Sequence, residues 1–212
     1  MVFAIIFCIL FGYLFGCFST GFFIGKIMKV DIRQYGSKSS GTTNALRTLG
    51  PRAGLLTLLG DMLKAIIAIV LIRLLILPEI FPEIENIRLL SLYTGLGVVI
   101  GHNYPVWLKF RGGKGIAATA GSMVAFDPLI IPFGLPVFII SVAITRYVSV
   151  GSLMIATMFP IWVIIRNPGN VHMLIVAIFY TIFAFIKHRS NIKRLMNGTE
   201  NKLGQRVKID NK

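Results

Sequence analysis

Long apolar runs alternate with short polar stretches along the chain. The runs are Val2–Ile24, Ala53–Leu77, Ile87–Leu108, Ile116–Phe126, Leu129–Thr145, Val150–Ile165 and Val171–Ile186. Apolar runs of this kind are typical of helices that cross a bilayer. The fourth run is too short to cross fully at about 1.5 Å per residue, so it is either a short tilted span or a half-helix that lines a cavity. The pattern predicts an all-α integral membrane protein.

Composition supports this fold class and a single domain over residues 1–212. Hydrophobic residues make up 55% of the chain and charged residues only 14%, a balance that excludes an ordinary soluble domain. The net charge of +14 comes from cations at the ends of apolar runs, which argues against nucleic-acid binding. Cys8 and Cys17 both lie in the first run, and we interpret them as small buried hydrophobic residues.

The charge distribution predicts an orientation for the bundle. Most Lys and Arg residues lie in loop 26–52, loop 109–115, turn 146–149 and tail 187–212. The opposite connections are acidic or neutral, with Glu79, Glu83 and Glu85 in one of them. Because positive loops stay inside, the basic set is cytoplasmic. This alternation requires an odd number of spans, so we expect seven transmembrane helices, an external N-terminus and a cytoplasmic C-terminus.

The stretch Gly101–Ala120 carries the strongest chemical signal. It has four basic residues and no carboxylate: His102, Lys109, Arg111 and Lys114. A Gly-Gly-Lys-Gly turn at 112–115 precedes a predicted helix start, and both glycine backbone and a helix N-terminus favour an anion. It is not a Walker loop, because Lys114 is followed by Gly115. The alternative is an ordinary basic loop that is kept in the cytoplasm by its charge.

The stretch Tyr35–Pro51 is rich in hydroxyl groups. It contains Ser37, Ser39, Ser40, Thr42, Thr43 and Thr48, together with Asn44, Lys38 and Arg47. Small hydroxyl residues beside glycine and arginine suit a phosphate or a polyol, because the guanidinium can bind phosphate oxygens in bidentate fashion. A solvated loop with helix-capping residues is the alternative.

Three weaker signals remain. The turn Arg146–Ser152, which includes Ser149, is interpreted first as structural. His188 and Asn191 would share one face if the seventh helix continues, although a basic juxtamembrane stretch usually contacts lipid headgroups. Asp61 and Lys64, three residues apart in the second run, are predicted to form a structural ion pair. We assign no role to His172.

Some chemistries are disfavoured by the residue types present. The sequence has no thiolate cluster or His-Glu motif for a metal, and no evident Ser-His-Asp arrangement. We therefore expect no metal and no cofactor, and activity that survives chelators.

Three stretches resemble those of the bacterial membrane acyltransferases that move an acyl chain from acyl phosphate to glycerol 3-phosphate, the PlsY family. They are Asp31–Gly50, Gly101–Thr119 and His188–Gly198, in the family's order and spacing over essentially the whole chain. The resemblance implies seven spans in the bacterial inner membrane and an active site at its cytoplasmic surface. It also implies the product 1-acylglycerol 3-phosphate, release of phosphate, and the acyl-phosphate-producing enzyme as a candidate partner.

The resemblance also assigns site residues. As catalytic it implies Ser37, Arg47, Lys114, His188 and Asn191, and as substrate-binding Gly36, Ser39, Gly41, Thr43, Asn44, His102, Asn103, Gly112, Gly113, Gly115 and Ser149. Lys114 and Ser37 are expected to hold acyl phosphate, and Arg47 to hold glycerol 3-phosphate together with His188 and Asn191. His188 is alternatively a general base. The chain departs from the family where Lys38-Ser39 replaces Gly-Asn, and where Ser190 replaces an acidic residue.

Two other function classes fit a basic vestibule in a helical bundle. One is a small anion transporter, which is disfavoured by the absence of an inverted repeat. The other is a non-catalytic partner in a lipid-synthesis complex, which is disfavoured by the dense hydroxyl and cationic loops.

Overall fold

In the computed structural model, the chain is described over residues 1–83 and 86–205, and those residues form helices and their connections. The α-helices are α1 (Val2–Cys17), α2 (Thr20–Ile27), α3 (Thr42–Leu49), α4 (Pro51–Leu71), α5 (Leu77–Ile80), α6 (Ile87–Asn103), α7 (Ile116–Phe126), α8 (Ile131–Thr145), α9 (Val148–Arg166) and α10 (Val171–Met196). A π-helical segment, Ile72–Ile76, joins α4 to α5. Glu85 of the predicted acidic connection and the last part of the predicted tail, 206–212, lie outside the described residues.

Five helical stretches in the described part are long and apolar enough to cross a membrane. They are Val2–Ile27, Pro51–Ile80, Pro128–Thr145, Val148–Arg166 and Val171–Met196. The all-α prediction is confirmed for these residues. Helix α6, with 17 residues, and helix α7, with 11, are shorter than those five. The count of seven crossings therefore remains a prediction.

The first apolar run is long and apolar enough to be one span, as predicted, but its helix is broken between α1 and α2. The break is stabilised by side chains that take over carbonyl groups near the end of α1. Lys64 Nζ donates to the carbonyl oxygens of Gly16 and Phe18, at 3.0 and 2.6 Å. Trp107 Nε1 donates to the carbonyl of Cys17 at 3.0 Å. Since these carbonyl groups have partners, the helix can end inside the bundle without unsatisfied backbone.

Two further predicted boundaries are wrong. Loop 26–52 is not a simple loop, because it contains α3 and the first residues of α4. The seventh helix does not end at Ile186 but continues to Met196. As a result, His188 and Asn191 lie on a helix and not in a tail.

Helix α6 lies at the centre of the bundle and packs against α1 backbone to backbone. A Cβ atom at Gly12 of α1 would lie 2.0 Å from the carbonyl oxygen of Thr94, and one at Gly97 of α6 would lie 2.3 Å from that of Ile9. Small residues at such a crossing let two helices approach closely, which is a common way to pack helices in membranes.

The N-terminus lies at the end of the bundle opposite to the loops with unusual polar sequence. Phe3 contacts Phe81, which follows α5, with ring centroids 5.9 Å apart. At this same end His172 Nε2 lies 2.7 Å from the hydroxyl of Tyr93, which gives His172 a structural contact.

Candidate active site

A cavity of about 570 Å³ opens at the other end of the bundle and collects most of the predicted site residues. Its polar rim includes all five predicted catalytic residues: Ser37, Arg47, Lys114, His188 and Asn191. It also includes Ser39, Gly41, Thr43, Asn44, His102, Gly115 and Ser149 from the predicted binding set. The other four of that set, Gly36, Asn103, Gly112 and Gly113, do not line the cavity.

Three helices point their N-termini at this cavity. It is lined by the first residues of α3 (Thr42 and Thr43), α7 (Ile116 and Ala117) and α9 (Val148 and Ser149). The first turn of a helix leaves backbone N–H groups without helical partners, and the N-terminus carries a charge of about +0.5. The sequence indicated this feature only for α7. The rim is therefore more favourable to anions than its side chains alone imply.

Asn44 stabilises the start of the hydroxyl-rich stretch Tyr35–Pro51 by hydrogen bonds to its backbone. Its buried side-chain amide donates to the carbonyls of Ile32, Tyr35 and Ser39 at 2.7–3.2 Å. Its Oδ1 atom accepts from the backbone N–H of Ser37 at 3.0 Å. All these contacts fix the loop, so the present role of Asn44 is to hold Ser37 and Ser39 at the rim.

The two departures from the family pattern, at Lys38-Ser39 and at Ser190, lie in different parts of the structure. Lys38 has φ 55° in the left-handed region, where a glycine of the family pattern is free of strain. The Ser39 hydroxyl accepts from the backbone N–H of Gly41 at 3.2 Å, so it supports the same turn. Ser190 is exposed on α10 and does not line the cavity. The first departure thus exchanges an amide for a hydroxyl at the rim, and the second lies away from the rim.

The glycines before Lys114 are required by close packing against His102. A Cβ atom at Gly112 would lie 2.0 Å from the carbonyl oxygen of His102, and one at Gly113 would lie 1.9 Å from His102 Nε2. The N–H of Gly113 already donates to that carbonyl at 3.0 Å. Both glycines therefore seat the loop on His102, and direct contact of either with substrate stays a prediction.

Asn103 lies behind the loop. Its side-chain atoms are buried without a hydrogen-bond partner in the described part of the chain, and its Oδ1 would lie 2.8 Å from a Cβ at Gly115. Its carbonyl accepts from Lys187 Nζ at 3.0 Å. A direct substrate contact for Asn103 stays a prediction.

A chain of hydrogen bonds links three polar stretches: the loop that carries Lys114, the turn that carries Ser149, and the end of α10 with the segment after it. Lys114 Nζ donates to Asn191 Oδ1 at 2.6 Å, and Asn191 Nδ2 donates to Glu200 Oε1 at 2.6 Å. The Ser149 hydroxyl donates to the same Glu200 oxygen at 3.1 Å, and Arg194 Nε donates to the other at 2.7 Å. Thus one buried carboxylate holds Asn191 and Ser149 of the rim directly, and Lys114 through Asn191.

Glu200 was not predicted as a site residue, although its carboxylate lines the cavity. The one available signal was its position as a lone acid in the basic stretch Lys187–Gly204. The segment after α10 folds back over the cavity: the carbonyl of Asn201 accepts from Arg47 at 3.0 Å, and the N–H of Leu203 donates to the carbonyl of Arg146 at 2.7 Å.

The charges of the rim depend on burial. Burial lowers the pKa of Lys114 to about 8, with Glu200 opposing this shift and Arg194 adding to it. Burial also lowers the pKa of Arg47, which starts from so high a value that the guanidinium stays charged. The ammonium of Lys114 is thus the rim cation that ordinary changes of pH can discharge.

His188 has a defined hydrogen-bonding state. Its Nδ1 atom lies 2.8 Å from the carbonyl oxygen of Ala184. A carbonyl oxygen only accepts, so Nδ1 carries the hydrogen and Nε2 of the neutral ring has a free lone pair. His188 lines the cavity, and in this state it can accept a hydrogen bond there.

The predicted ion pair in α4 is present and borders the same cavity. Lys64 Nζ lies 3.0 Å from Asp61 Oδ1 and 2.9 Å from His102 Nδ1. Asp61 and His102 both line the cavity, and all three side chains are buried. The contact of this pair with His102 was not predictable from the spacing of the three residues.

Below the rim the cavity becomes apolar. Its wall there is formed by side chains of α4, α7, α8, α9 and the 3-10 turn before α8, including Leu58, Met62, Ala117, Ala120, Val124, Ile130, Leu135, Phe138 and Ile155. Gly134 on α8 also lines this part, which we call the apolar groove. A groove continuous with a cationic rim suits a molecule that has an anionic head and an alkyl tail.

No group of three or more His, Cys, Asp and Glu side chains that could hold a metal occurs within 1–83 and 86–205. Independence from metal stays a prediction.

Comparisons with known proteins agree with the geometry of the cavity. A family model described as glycerol-3-phosphate acyltransferase matches residues 6–198. The glycerol-3-phosphate acyltransferase of Clostridioides difficile (strain 630) is 45% identical over 209 residues, which cover 97% of this chain and 98% of that protein. Its counterpart in Desulforamulus reducens is 39% identical over 195 residues, 92% of each chain.

Two crystal structures of PlsY, an integral membrane glycerol 3-phosphate acyltransferase, share this fold. The glycerol 3-phosphate form has a TM-score of 0.82 and 32% identity, and the match covers 94% of this chain and 96% of that one. The lysophosphatidic acid form has a TM-score of 0.80 and 31% identity, with 95% and 96% covered.

Proposed function

The chain belongs to the glycerol-3-phosphate acyltransferase family, and from that premise we propose how its own residues carry out the reaction. The enzyme transfers a fatty acyl group from acyl phosphate to glycerol 3-phosphate. The products are 1-acylglycerol 3-phosphate, or lysophosphatidic acid, and inorganic phosphate. This is the first acylation in phospholipid synthesis.

The observation that carries the proposal is one cavity with a cationic rim and an apolar groove. The acyl tail of the donor lies in the groove, and its phosphate meets Lys114, Ser37 and the N-terminus of α7. Glycerol 3-phosphate lies at the other side of the rim, where Arg47 binds its phosphate and His188 and Asn191 contact the glycerol. Two phosphate groups repel each other, so the three helix N-termini and the rim cations offset that repulsion.

The reaction itself needs little more than positioning. The hydroxyl oxygen at position 1 of glycerol 3-phosphate attacks the acyl carbonyl carbon, and the bond from that carbon to the phosphate oxygen breaks. Phosphate is a good leaving group, so correct placement and stabilisation of developing negative charge supply most of the rate enhancement. The hydroxyl proton goes to the departing phosphate, while the lone pair on His188 Nε2 orients glycerol 3-phosphate by accepting a hydrogen bond from its other hydroxyl, at position 2.

Phosphate release from purified protein supplied with acyl phosphate and glycerol 3-phosphate tests this function. Release must depend on both substrates, and the lipid product must form in equal amount. Acyl-independent uptake of phosphate into vesicles would instead support an anion transporter, and no turnover at all would support a non-catalytic partner.

The role of His188 has its own test. If His188 only orients the hydroxyl, His188→Gln keeps most of kcat and the pH–rate profile keeps its acid limb. An obligatory general base is worth about 10²–10⁴-fold, so a loss of that size together with a lost acid limb would overturn the orienting role.

The membrane arrangement is proposed on the same basis. The chain forms one domain with seven crossings in the bacterial inner membrane, in which α6 and α7 add to the five long helical stretches. The cavity faces the cytoplasm because the basic loops surround it, and the N-terminus is external. The enzyme that produces acyl phosphate is the proposed partner, since its product carries the apolar tail that the groove accepts.

Thiol labelling in intact cells tests this orientation, and both native cysteines are buried. A cysteine at Glu83 should react with a membrane-impermeant reagent, whereas a cysteine at Arg52 should react only after permeabilisation. The reverse pattern would place the cavity outside.

A further inference from the structure

The ring of His102 sits between the cavity and the ion pair of α4. It is only 2% exposed, yet it lines the cavity next to the loop that carries Lys114. Its Nδ1 atom faces inward, 2.9 Å from Lys64 Nζ. Its Nε2 atom lies on the opposite edge of the ring, beside Gly113. A Cβ atom at Gly113 would lie 1.9 Å from Nε2, so only glycine leaves room for the ring there. One ring edge therefore contacts the protein interior and the other contacts the loop.

The surroundings of Lys64 decide which of the two ring nitrogens carries the hydrogen. An ammonium group has three donors and no acceptor. Lys64 Nζ lies within 3.0 Å of the carbonyl oxygens of Gly16 and Phe18 and of Asp61 Oδ1. The fourth neighbour, His102 Nδ1, lies 2.9 Å from this ammonium but 3.6 Å from Asp61 Oδ1, which is too far for a hydrogen bond. Nδ1 therefore faces a donor at hydrogen-bond distance and must be an acceptor, with the three N–H groups of Lys64 shared among four acceptors. A neutral ring whose Nδ1 accepts has its hydrogen on Nε2.

Asp61 keeps Lys64 in the charged form. It is fully buried, and its Oδ1 atom also accepts from the Thr20 hydroxyl at 3.1 Å. A buried carboxylate is very costly without a cation beside it, so the pair is stable as ammonium and carboxylate together. The charge of Lys64 then fixes the ring without adding net charge to the bundle interior.

The two histidines of the cavity are thus in opposite states. His188 has its hydrogen on Nδ1, bonded to its own helix, and offers a lone pair. His102 has its hydrogen on Nε2 and offers a donor. Donors bind phosphate oxygens and acceptors bind hydroxyl groups, so both polar ends of the reacting molecules have a matching ring.

We propose that Lys64, held by Asp61, is a positioning residue that fixes His102 in the Nε2–H form, so that His102 donates a hydrogen bond to a substrate phosphate oxygen in the cavity. The proposal rests on the proposed binding role of the rim. It gives the buried pair a function in substrate recognition beyond joining α4 to the break between α1 and α2.

Nitrogen-15 NMR of histidine side chains tests the ring state without any need for turnover. The chain has three histidines, and His172→Gln and His188→Gln variants assign the His102 signals. In the wild-type protein Nε2 of His102 should be protonated and Nδ1 not, and inorganic phosphate should shift the Nε2 signal. A protonated Nδ1 would overturn the proposal whatever the enzyme's activity.

Kinetics of Lys64 variants test the consequence. Lys64→Met should raise the KM for one phosphate substrate about 10- to 100-fold, the range for a lost hydrogen bond to a charged group, with a smaller change in kcat. Substrate titrations of glycerol 3-phosphate and of acyl phosphate identify which phosphate is bound. Lys64→Arg, which also only donates, should restore part of the affinity and the Nε2–H signal. Thr57→Val, a buried change on the same helix, should leave both KM values unchanged.

A double-mutant cycle separates positioning from a structural role. If Lys64 acts through His102, then Lys64→Met adds nothing in a His102→Phe background, whereas independent effects would add. Because Lys64→Met leaves Asp61 charged and buried, the cycle is repeated with Asp61→Asn and Lys64→Met together, which removes both charges. Additive losses in both backgrounds would overturn the proposal.

Discussion

The rim and the groove of the cavity are built in opposite ways. The rim takes single residues from distant parts of the chain, such as Arg47, Lys114 and Glu200, and joins them by charged hydrogen bonds. The groove takes continuous faces of neighbouring helices and has no hydrogen bonds to align. A change in the rim should therefore affect every substrate, whereas a change in the groove should affect only the choice of acyl chain.

The largest effect is expected for Lys114→Ala. This change removes the half-buried cation that is expected to face the developing negative charge, so kcat/KM should fall about 10³-fold or more for every acyl chain. Steady-state phosphate release measures this. Lys109→Ala removes an exposed lysine near the same loop and should change kcat/KM less than twofold. Equal losses in both variants would mean that the loop acts through its overall charge only.

Glu200→Gln should come next, because it removes the charge that holds Arg194 while keeping the shape of the side chain. The free energy of unfolding should fall by about 1–3 kcal/mol, the range for a buried hydrogen bond to a charged group. Activity should fall with every donor, since one of the two acceptor oxygens becomes an NH2 group, and either Arg194 or the pair Asn191 and Ser149 then loses its acceptor. Thermal unfolding in detergent checks this, with Glu79→Gln at the other end of the bundle as the control. An unchanged melting temperature would show that Glu200 does not hold the rim together.

Gly134→Leu tests the groove. A Cβ atom at Gly134 would lie 3.4 Å from Ile155 Cδ1, so alanine should fit and leucine should fill the groove. The ratio of kcat/KM for a long over a short acyl phosphate should fall about tenfold, because a few methylenes lose their place in an apolar site. Gly134→Ala should change the ratio little. An equal loss of kcat/KM for both chain lengths would mean that Gly134 affects every substrate, as residues of the rim are expected to do.

The smallest effect is expected from pH. Because the pKa of Lys114 is about 8, its side chain is fully protonated well below that pH and loses its charge as the pH rises above 8. Because phosphate binds the charged form, kcat/KM should be about halved at pH 8 and about fourfold lower at pH 8.5. In Lys114→Arg the guanidinium keeps its charge, so whatever activity remains should not decline over this range. A decline that persists in this variant would belong to another group.

The rim could be predicted from the sequence more fully than the helices that carry it. Glycine, hydroxyl and basic residues are unusual in so apolar a chain, so Ser37, Lys114 and His188 were identifiable by type. The break after α1 was not predictable, because it depends on Lys64, more than forty positions further along the chain. Glu200 was missed for a similar reason, because the local sequence does not show whether the segment after α10 is solvated or folds back over the cavity. The groove could not be predicted, because its apolar residues are of the same types as side chains that face lipid.

The segment 197–203, which follows α10 and folds back over the cavity, is translated after the helices that it joins. Glu200 and the carbonyl of Asn201 are synthesised after α1 to α10, yet they orient Ser149, Asn191 and Arg47. A nascent chain can thus insert α1 to α10 while its rim is still unassembled. A ribosome that stalls before residue 200 is therefore expected to leave a bundle in the membrane that does not acylate.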